Sequence, residues 1–158
     1  MSVNVDLRVV GAGDDTCVET AWRLKEEIRT REDVLKQRRG FFTDAYRRSS
    51  VNLLFIDERL VGFSATRRDG YLLFLAVDPE YRGQGFGARL VELVADEHRT
   101  VTCHARTTNK EALSFYEHLD FEIVRRIGNY YEDGGDSFYL KRGNTEGVAG
   151  RLSSYLHR

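Results

Sequence analysis

Val3, Val5, Leu7 and Val9 alternate with polar residues, a period of two that predicts a first strand. After the turn residues Gly11 to Asp15, Thr16-Cys17-Val18-Glu19 has the spacing of a capping box and predicts a helix start. Val18, Ala21, Trp22 and Ile28 would be the buried stripe of that helix. Thr30 to Asp33 offers a cap for a second helix, with Val34, Leu35, Phe41, Phe42, Ala45 and Tyr46 keeping helical spacing through Gly40. Val51 to Ile56 and Leu60 to Arg67 read as strands joined at Asp57-Glu58-Arg59, and Asp69-Gly70 turns the chain into a further apolar run, Tyr71 to Val77. These first four strands are expected to pair largely antiparallel. Pro79 stops the fourth.

A helix over Arg89 to His98 follows, its apolar side being Leu90, Val91, Val94 and Ala95. Val101, Cys103 and Ala105 alternate with Thr102, His104 and Arg106 as a fifth strand, and the strand–helix–strand connection predicts a parallel fourth and fifth pair. Asn109 is placed to cap a helix bearing Ala112, Leu113, Tyr116 and Leu119. Phe121 to Tyr131 and Asp136 to Arg142 make a closing hairpin across Asp133-Gly134-Gly135. The pattern gives an α/β domain over residues 1–142. A polar, glycine-rich tail follows over 143–158, in which Leu152, Tyr155 and Leu156 have the spacing of a short docking helix.

Between the fourth strand and the next helix lies Asp78-Pro79-Glu80-Tyr81-Arg82-Gly83-Gln84-Gly85-Phe86-Gly87-Ala88. Glycine permits a tight turn and close approach, and the first turn of a helix offers unpaired N–H groups at its positive end. The join is therefore suited to a pyrophosphate. The same glycines also suit an ordinary strand-to-helix turn, and the loop has neither the G-x-G-x-x-G of a dinucleotide fold nor the Lys-Ser/Thr ending of a P-loop.

Composition narrows the classes. With 158 residues, 41% hydrophobic and 31% charged, the chain has the size and make-up of one globular domain. A formal net charge of −1 gives no global basic field for nucleic acid or acidic lipid. No apolar stretch reaches membrane-spanning length, and the first residues lack the regions of a signal peptide. The two cysteines and four histidines show no disulfide framework and no metal-ligand spacing, so a metal-free protein of the reducing cytoplasm is expected.

Arg82-Gly83-Gln84-Gly85-Phe86-Gly87 resembles the R/Q-x-x-G-x-G/A motif of the GNAT N-acyltransferases. Asn109 to Phe121 resembles a second pattern of that family, N-x-x-A-x-x-F-Y-x-x-x-G-F, with Asp120 at the usual glycine. That position needs a left-handed backbone, which Asp tolerates. The resemblance implies a GNAT fold: a mixed, twisted central sheet of about seven strands with helices on both faces. It also implies acetyl-CoA as acyl donor. Backbone groups of Leu75, Ala76 and Val77 would face the thioester, the loop from Arg82 through Gly83, Gln84, Gly85, Phe86, Gly87 and Ala88 the pyrophosphate, and Asn109 and Tyr116 the cofactor. Tyr116 would then stand where a thiolate develops. On the residues alone it is an aromatic of an amphipathic helix.

A narrower resemblance runs through His104 to Asn109 and Arg125 to Phe138, which is similar to the N-terminal protein acetyltransferases. It implies a general base at His104, five positions before Asn109, and acceptor contacts from Tyr130 and Tyr131. An imidazole, titrating near pH 6.5, suits proton transfer at neutrality; a hydrogen-bonded sheet histidine is the plainer alternative. The implied reaction is acetyl transfer to a protein or peptide α-amine, whose ordinary pKa of about 7.7–8.0 is far easier to present neutral than that of lysine at about 10.4. A small amine or a lysine side chain is the alternative acceptor, and a non-catalytic acyl-CoA sensor the alternative class. A monomer or homodimer is expected.

Overall fold

The computed structural model describes residues 4–143; the tail reading over 144–158 and the first three residues lie outside it. The chain divides into two compact units, Met1–Val94 and Ala95–Arg158.

The first unit is a four-stranded antiparallel sheet in the order β1-β2-β3-β4, formed by β1 (Asp6–Val10), β2 (Ser50–Ile56), β3 (Arg59–Thr66) and β4 (Leu72–Val77). The β2–β3 hairpin turns on Asp57 and Glu58, both at positive φ (47° and 66°), the hand that matches strand twist. Helices α1 (Val18–Glu32) and α2 (Arg39–Arg47) cover one face, where Phe42, Tyr46, Leu24 and Ile28 pack with Leu53, Phe63 and Phe74. Alternation sends Leu54, Ile56 and Val61 to the other face, against Leu90 of α3 (Phe86–Glu97). The helix approaches β3 over Gly62, where a Cβ would stand 3.1 Å from the Ala76 carbonyl and 3.3 Å from Leu90 Cδ1. Helices thus lie on both faces of this sheet, as expected.

Four local expectations change. The capping box does not form: Cys17 precedes α1 in a left-handed conformation with no side-chain cap, and Thr16 bonds the Asp14 carboxylate through both N–H and Oγ1 (2.9 and 2.6 Å). A nearby charged acceptor outcompetes the cap. No helix starts at Thr30, whose hydroxyl bonds back to the Glu26 carbonyl (2.9 Å) inside α1; the helix ends at Asp33. Val34 and Leu35 therefore lie in the link between helices. Helix α3 begins at Phe86, before Arg89. Finally, β1 forms but lies at the sheet edge, and its burial does not follow the expected period: Asp6 to Val9 are all exposed, Val9 to 62%, and only Val10 is buried.

The link into α2 is tied down by Lys25. Its side chain is fully buried, its ammonium bonds the Gln37 carbonyl, pairs with Glu26 (3.1 Å) and lies 4.6 Å above the Trp22 ring. Burial holds its pKa below the usual lysine value, with Glu26 opposing that shift.

The second unit contains β5 (Val101–Arg106), α4 (Lys110–His118), β6 (Phe121–Ile127) and β7 (Ser137–Arg142) in a three-stranded antiparallel sheet ordered β5-β7-β6. Val101, Cys103 and Ala105 are buried, as their alternation predicts. Asn109 caps α4, accepting from the Ala112 N–H (3.1 Å), and Asp120 takes the left-handed conformation (φ 68°) that its motif position requires.

The seven strands among the described residues are as expected in number, but they form two antiparallel sheets rather than one mixed sheet. The expected parallel ladder between β4 and β5 is not formed. Among the described residues β4 pairs with β3 alone and β5 with β7 alone, each strand ending its own antiparallel sheet, and β5 takes as its partner the returning arm of the last hairpin. A short hairpin return gives antiparallel pairing without a crossover.

Candidate functional site

In the first unit, β4 runs out at Val77 into a turn fixed by Asp78. That carboxylate is 2% exposed; it accepts from the Glu80 N–H (3.0 Å) and from Arg59 (2.7 Å), while the Asp78 N–H donates to the Val61 carbonyl (2.8 Å). A short 3₁₀ turn over Pro79–Tyr81 follows. The Arg82 guanidinium then bonds the Val77 carbonyl (3.3 Å) and forks onto Glu32 at the end of α1, with one arm at 2.7 Å. Arg82 therefore anchors the loop at its base.

Gly83 and Gly85 take φ of 78° and 86°, and a Cβ built on either meets nothing within 4 Å, so the space beside the loop is open. The first helical bond comes from the Arg89 N–H to the Gly85 carbonyl (3.0 Å). The amides of Phe86, Gly87 and Ala88 precede it and are the first-turn donors of α3. Positive backbone curvature, first-turn donors and open space fit an anionic group such as a pyrophosphate. Leu75, Ala76 and Val77 belong to the last strand of this sheet, so their backbone groups on the side away from β3 are outside its ladder.

In the second unit, His104 projects from the half-buried side of β5. Its ring stacks on Tyr130 (centroids 4.3 Å apart, 14° between planes) and lies 5.0 Å from Tyr139, its cross-strand partner on β7. Arg125 caps the Tyr139 ring from β6 at 4.9 Å. Two residues along β5, Arg106 lies 4.0 Å over Tyr131 and pairs with Asp133 (3.1 Å).

The segment carrying both tyrosines is a built loop over 128–136, not strand as expected. Asn129 turns at φ 51° and donates its N–H to Asp136 (3.0 Å), and the N–H groups of Tyr130 and Tyr131 both donate to the Gly135 carbonyl (3.0 and 3.1 Å). Arg126 pairs with Asp136 (2.7 Å) and, with the Asn129 N–H, holds its carboxyl below the usual carboxylate range. Burial raises the Tyr131 phenol, opposed by a hydrogen bond with Ser137 and the charge of Arg106.

Tyr116 lies elsewhere on this sheet. It is 9% exposed, packs edge-on against Phe115 and Phe121, and its hydroxyl bonds the Cys103 thiol. Burial pushes that thiol up to about 12, the Tyr116 bond opposing the shift. Cys103 and His104 alternate along β5, so His104 and Tyr116 approach the strand from opposite sides. β5 is the edge strand of its sheet.

The structure thus brings His104 together with Tyr130, and adds Tyr139, Arg106, Asp133 and Asp136, which the sequence pattern did not single out for these contacts. Asp136 is legible in the sequence only as the first residue of the run that makes the last strand. Tyr139 became legible only once β7 was seen to lie beside β5.

Residues 47–123 match the family model of the acetyltransferase (GNAT) domain. That match takes in just under half of the chain, which is similar to this family over its central part. The chain is 33% identical over 96 residues to N-alpha-acetyltransferase 30 of Saccharomyces cerevisiae, a match covering 58% of this chain and 54% of that protein. It is 39% identical over 79 residues to N-alpha-acetyltransferase 30 of Xenopus laevis, covering 47% of this chain and 29% of that one. The chain therefore spans about half or less of the length of these relatives. Among solved structures, the ribosomal-protein-S18-alanine N-acetyltransferase from Escherichia coli superposes with a TM-score of 0.71 at 24% identity, over 87% of this chain and 93% of that one. Arabidopsis thaliana Naa50, in complex with the bisubstrate analogue CoA-Ac-MVNAL, gives 0.67 at 24%, over 87% and 99%. These two likenesses establish the fold.

Proposed function

We propose that this protein transfers an acetyl group from acetyl-CoA to the α-amine of a protein or peptide N-terminus. The observation that carries the reading is the His104–Tyr130 stack on a loop held by Asp136 and Gly135. It sets an imidazole and an exposed aromatic platform on one side of β5, which supports the reading. The names of the relatives point to α-amines, and the peptide-bearing analogue in the Naa50 structure supports a peptide acceptor.

Acetyl-CoA would supply an activated thioester. The amides of Phe86, Gly87 and Ala88, with the turns at Gly83 and Gly85, would hold its pyrophosphate, and outward backbone groups of Leu75 to Val77 would orient the acyl end. His104 takes the proton that the amine loses as its nitrogen bonds to the acyl carbon. Tyr116 donates to the sulfur as the carbon–sulfur bond breaks, and Asn109 keeps α4 capped beside it. Tyr130 and Tyr131 line the acceptor side. The scheme asks for no metal. The two thiols are free, which fits the cytoplasm as its location, and one chain supplies every group named.

The test is a pH–rate profile of wild type and His104→Ala on a peptide with a free α-amine and on the same peptide blocked and bearing lysine. The free α-amine should react much faster. His104→Ala should lose about 10²–10⁴-fold at low pH and recover as pH rises above the amine's own pKa. Parallel profiles would count against a base role, and preference for the blocked peptide would transfer the assignment to lysine or small amines.

A further inference from the structure

The first sheet ends in an unguarded edge. Among the described residues β1 pairs with β2 alone, and Asp6 to Val9 are all exposed, Val9 to 62% and Leu7 to 37%. The other edge strand of this sheet, β4, exposes none of its residues. An open strand edge is a row of backbone donors and acceptors, which proteins blunt with proline, bulges or repelling charge. β1 has no proline, its register against β2 is unbroken from Asp6 to Val10, and its two charges are of opposite sign. Neither charge is tied up in an ion pair among the described residues; the Arg8 guanidinium lies 4.1 Å over the Phe55 ring.

We propose that this edge pairs with β1 of a second copy of the chain, antiparallel, about a twofold axis at Leu7. What selects that occupant is self-complementarity: Val5-Asp6-Leu7-Arg8-Val9 matches its own reverse in charge and polarity. Run against itself about Leu7, the segment sets Asp6 opposite Arg8 twice, Val5 opposite Val9 twice and Leu7 opposite Leu7. Residues directly opposite in an antiparallel pair lie on one face, where their side chains meet. Leu7 stands beside Leu54 of β2, on the α3 side of the sheet, where Val5 also packs; Asp6 and Arg8 stand beside Phe55 and Leu53, on the opposite side. In this register apolar residues meet apolar ones on one face, and carboxylate meets guanidinium on the other. Centring the pair on Asp6 or on Arg8 would set like charge against like, and a slip of one residue would set Leu7 against Arg8. Each copy gives and receives the same contacts, as a closed twofold interface requires, and both open edges are removed. The proposal is independent of the acetyl-transfer reading.

Sedimentation of the full chain from about 1 µM to about 1 mM, in wild type and in charge reversals at the edge, tests it. Wild type should pass from monomer to dimer within that range. Asp6→Arg or Arg8→Asp places two like-charged pairs in the interface and should raise the dimer dissociation constant at least about tenfold. The chain carrying both reversals restores the two opposite pairs and should return to within about threefold of wild type, a recovery that loss of folding cannot produce. In hydrogen exchange, β1 amides outside the β1–β2 ladder should slow as concentration rises through the transition. A chain that stays monomeric throughout would overturn the proposal, as would a dimer indifferent to the single reversals or a double reversal as weak as either single one. So would a dimer whose β1 amides exchange as they do in the monomer, since another face would then join the copies.

Discussion

The two sheets of this protein are built to different standards of burial. In β3 every residue but Arg59 is buried; in β6 only Phe121 is. The first sheet is covered by α1 and α2 on one face and α3 on the other, so both alternating sets of side chains are apolar and packed. The second sheet buries the Cys103 side of β5, where Tyr116 of α4 meets it, and leaves His104, Arg106 and Tyr139 half-exposed on the other. Burial is concentrated in the sheet that carries the glycine loop at its end, and the half-covered sheet displays the side chains that, under the proposed function, an acceptor would meet.

The sharpest way to break this comparison is by truncation. Phe42 is fully buried at the centre of an aromatic cluster, with Phe74, Trp22, Phe63 and Tyr46 within 4.9–6.1 Å between centroids. Phe42→Ala should cost about 3–5 kcal/mol. Val124→Ala, on exposed β6, should stay within about 0.5 kcal/mol. Urea denaturation of both variants measures the contrast, and equal losses would abolish it.

A smaller effect on folding, but a larger one on binding, is expected at the loop. A Cβ at Gly85 meets nothing within 4 Å, so the cost identified for a Val there is that of the left-handed backbone, about 1–2 kcal/mol. Gly85→Val should therefore remain folded while acetyl-CoA affinity drops by tenfold or more. Calorimetry on the folded variant decides it; unchanged affinity would remove the loop from the cofactor site.

The smallest effect sharpens the comparison from the buried side of the second sheet. The Cys103 thiol is held at about 12 by burial, against an ordinary value of 9.0. The folded pKa is raised, so this contribution to stability is complete below pH 9 and is lost as pH climbs toward 12, by at most about 1.4 kcal/mol per pH unit. Burial of Lys25 acts in the opposite sense over its own range below 10.5, so the comparison must be made against a variant. Between pH 9 and 10.5 the urea midpoint of wild type should fall more steeply than that of Cys103→Ala. Identical slopes would mean that the thiol is open to solvent.

The sequence by itself determined the elements and the chemistry close to them in the chain. Strand period placed Cys103 inward and His104 outward, the glycine spacing marked the loop before α3, and Asn109 and Asp120 bounded α4. All of these are set by backbone sterics and hydrogen bonds between residues only a few positions apart, which a linear pattern records. What only the tertiary structure decided was partnership at long range. That β7 lies beside β5, giving His104 the neighbour Tyr139, follows from the order of strands in the sheet, and the alternating pattern of each strand is the same whichever edge it joins. The failed cap at Thr16 and the run of α1 through Thr30 were settled by competition among nearby acceptors: the Asp14 carboxylate in one case, the Glu26 carbonyl in the other. Likewise, the tie from Arg82 to Glu32 joins residues 50 positions apart, and it exists because packing α1 on the sheet brings the end of that helix to the loop. Local geometry is written in spacing; the choice among equivalent partners is made by the packing energy of the whole fold.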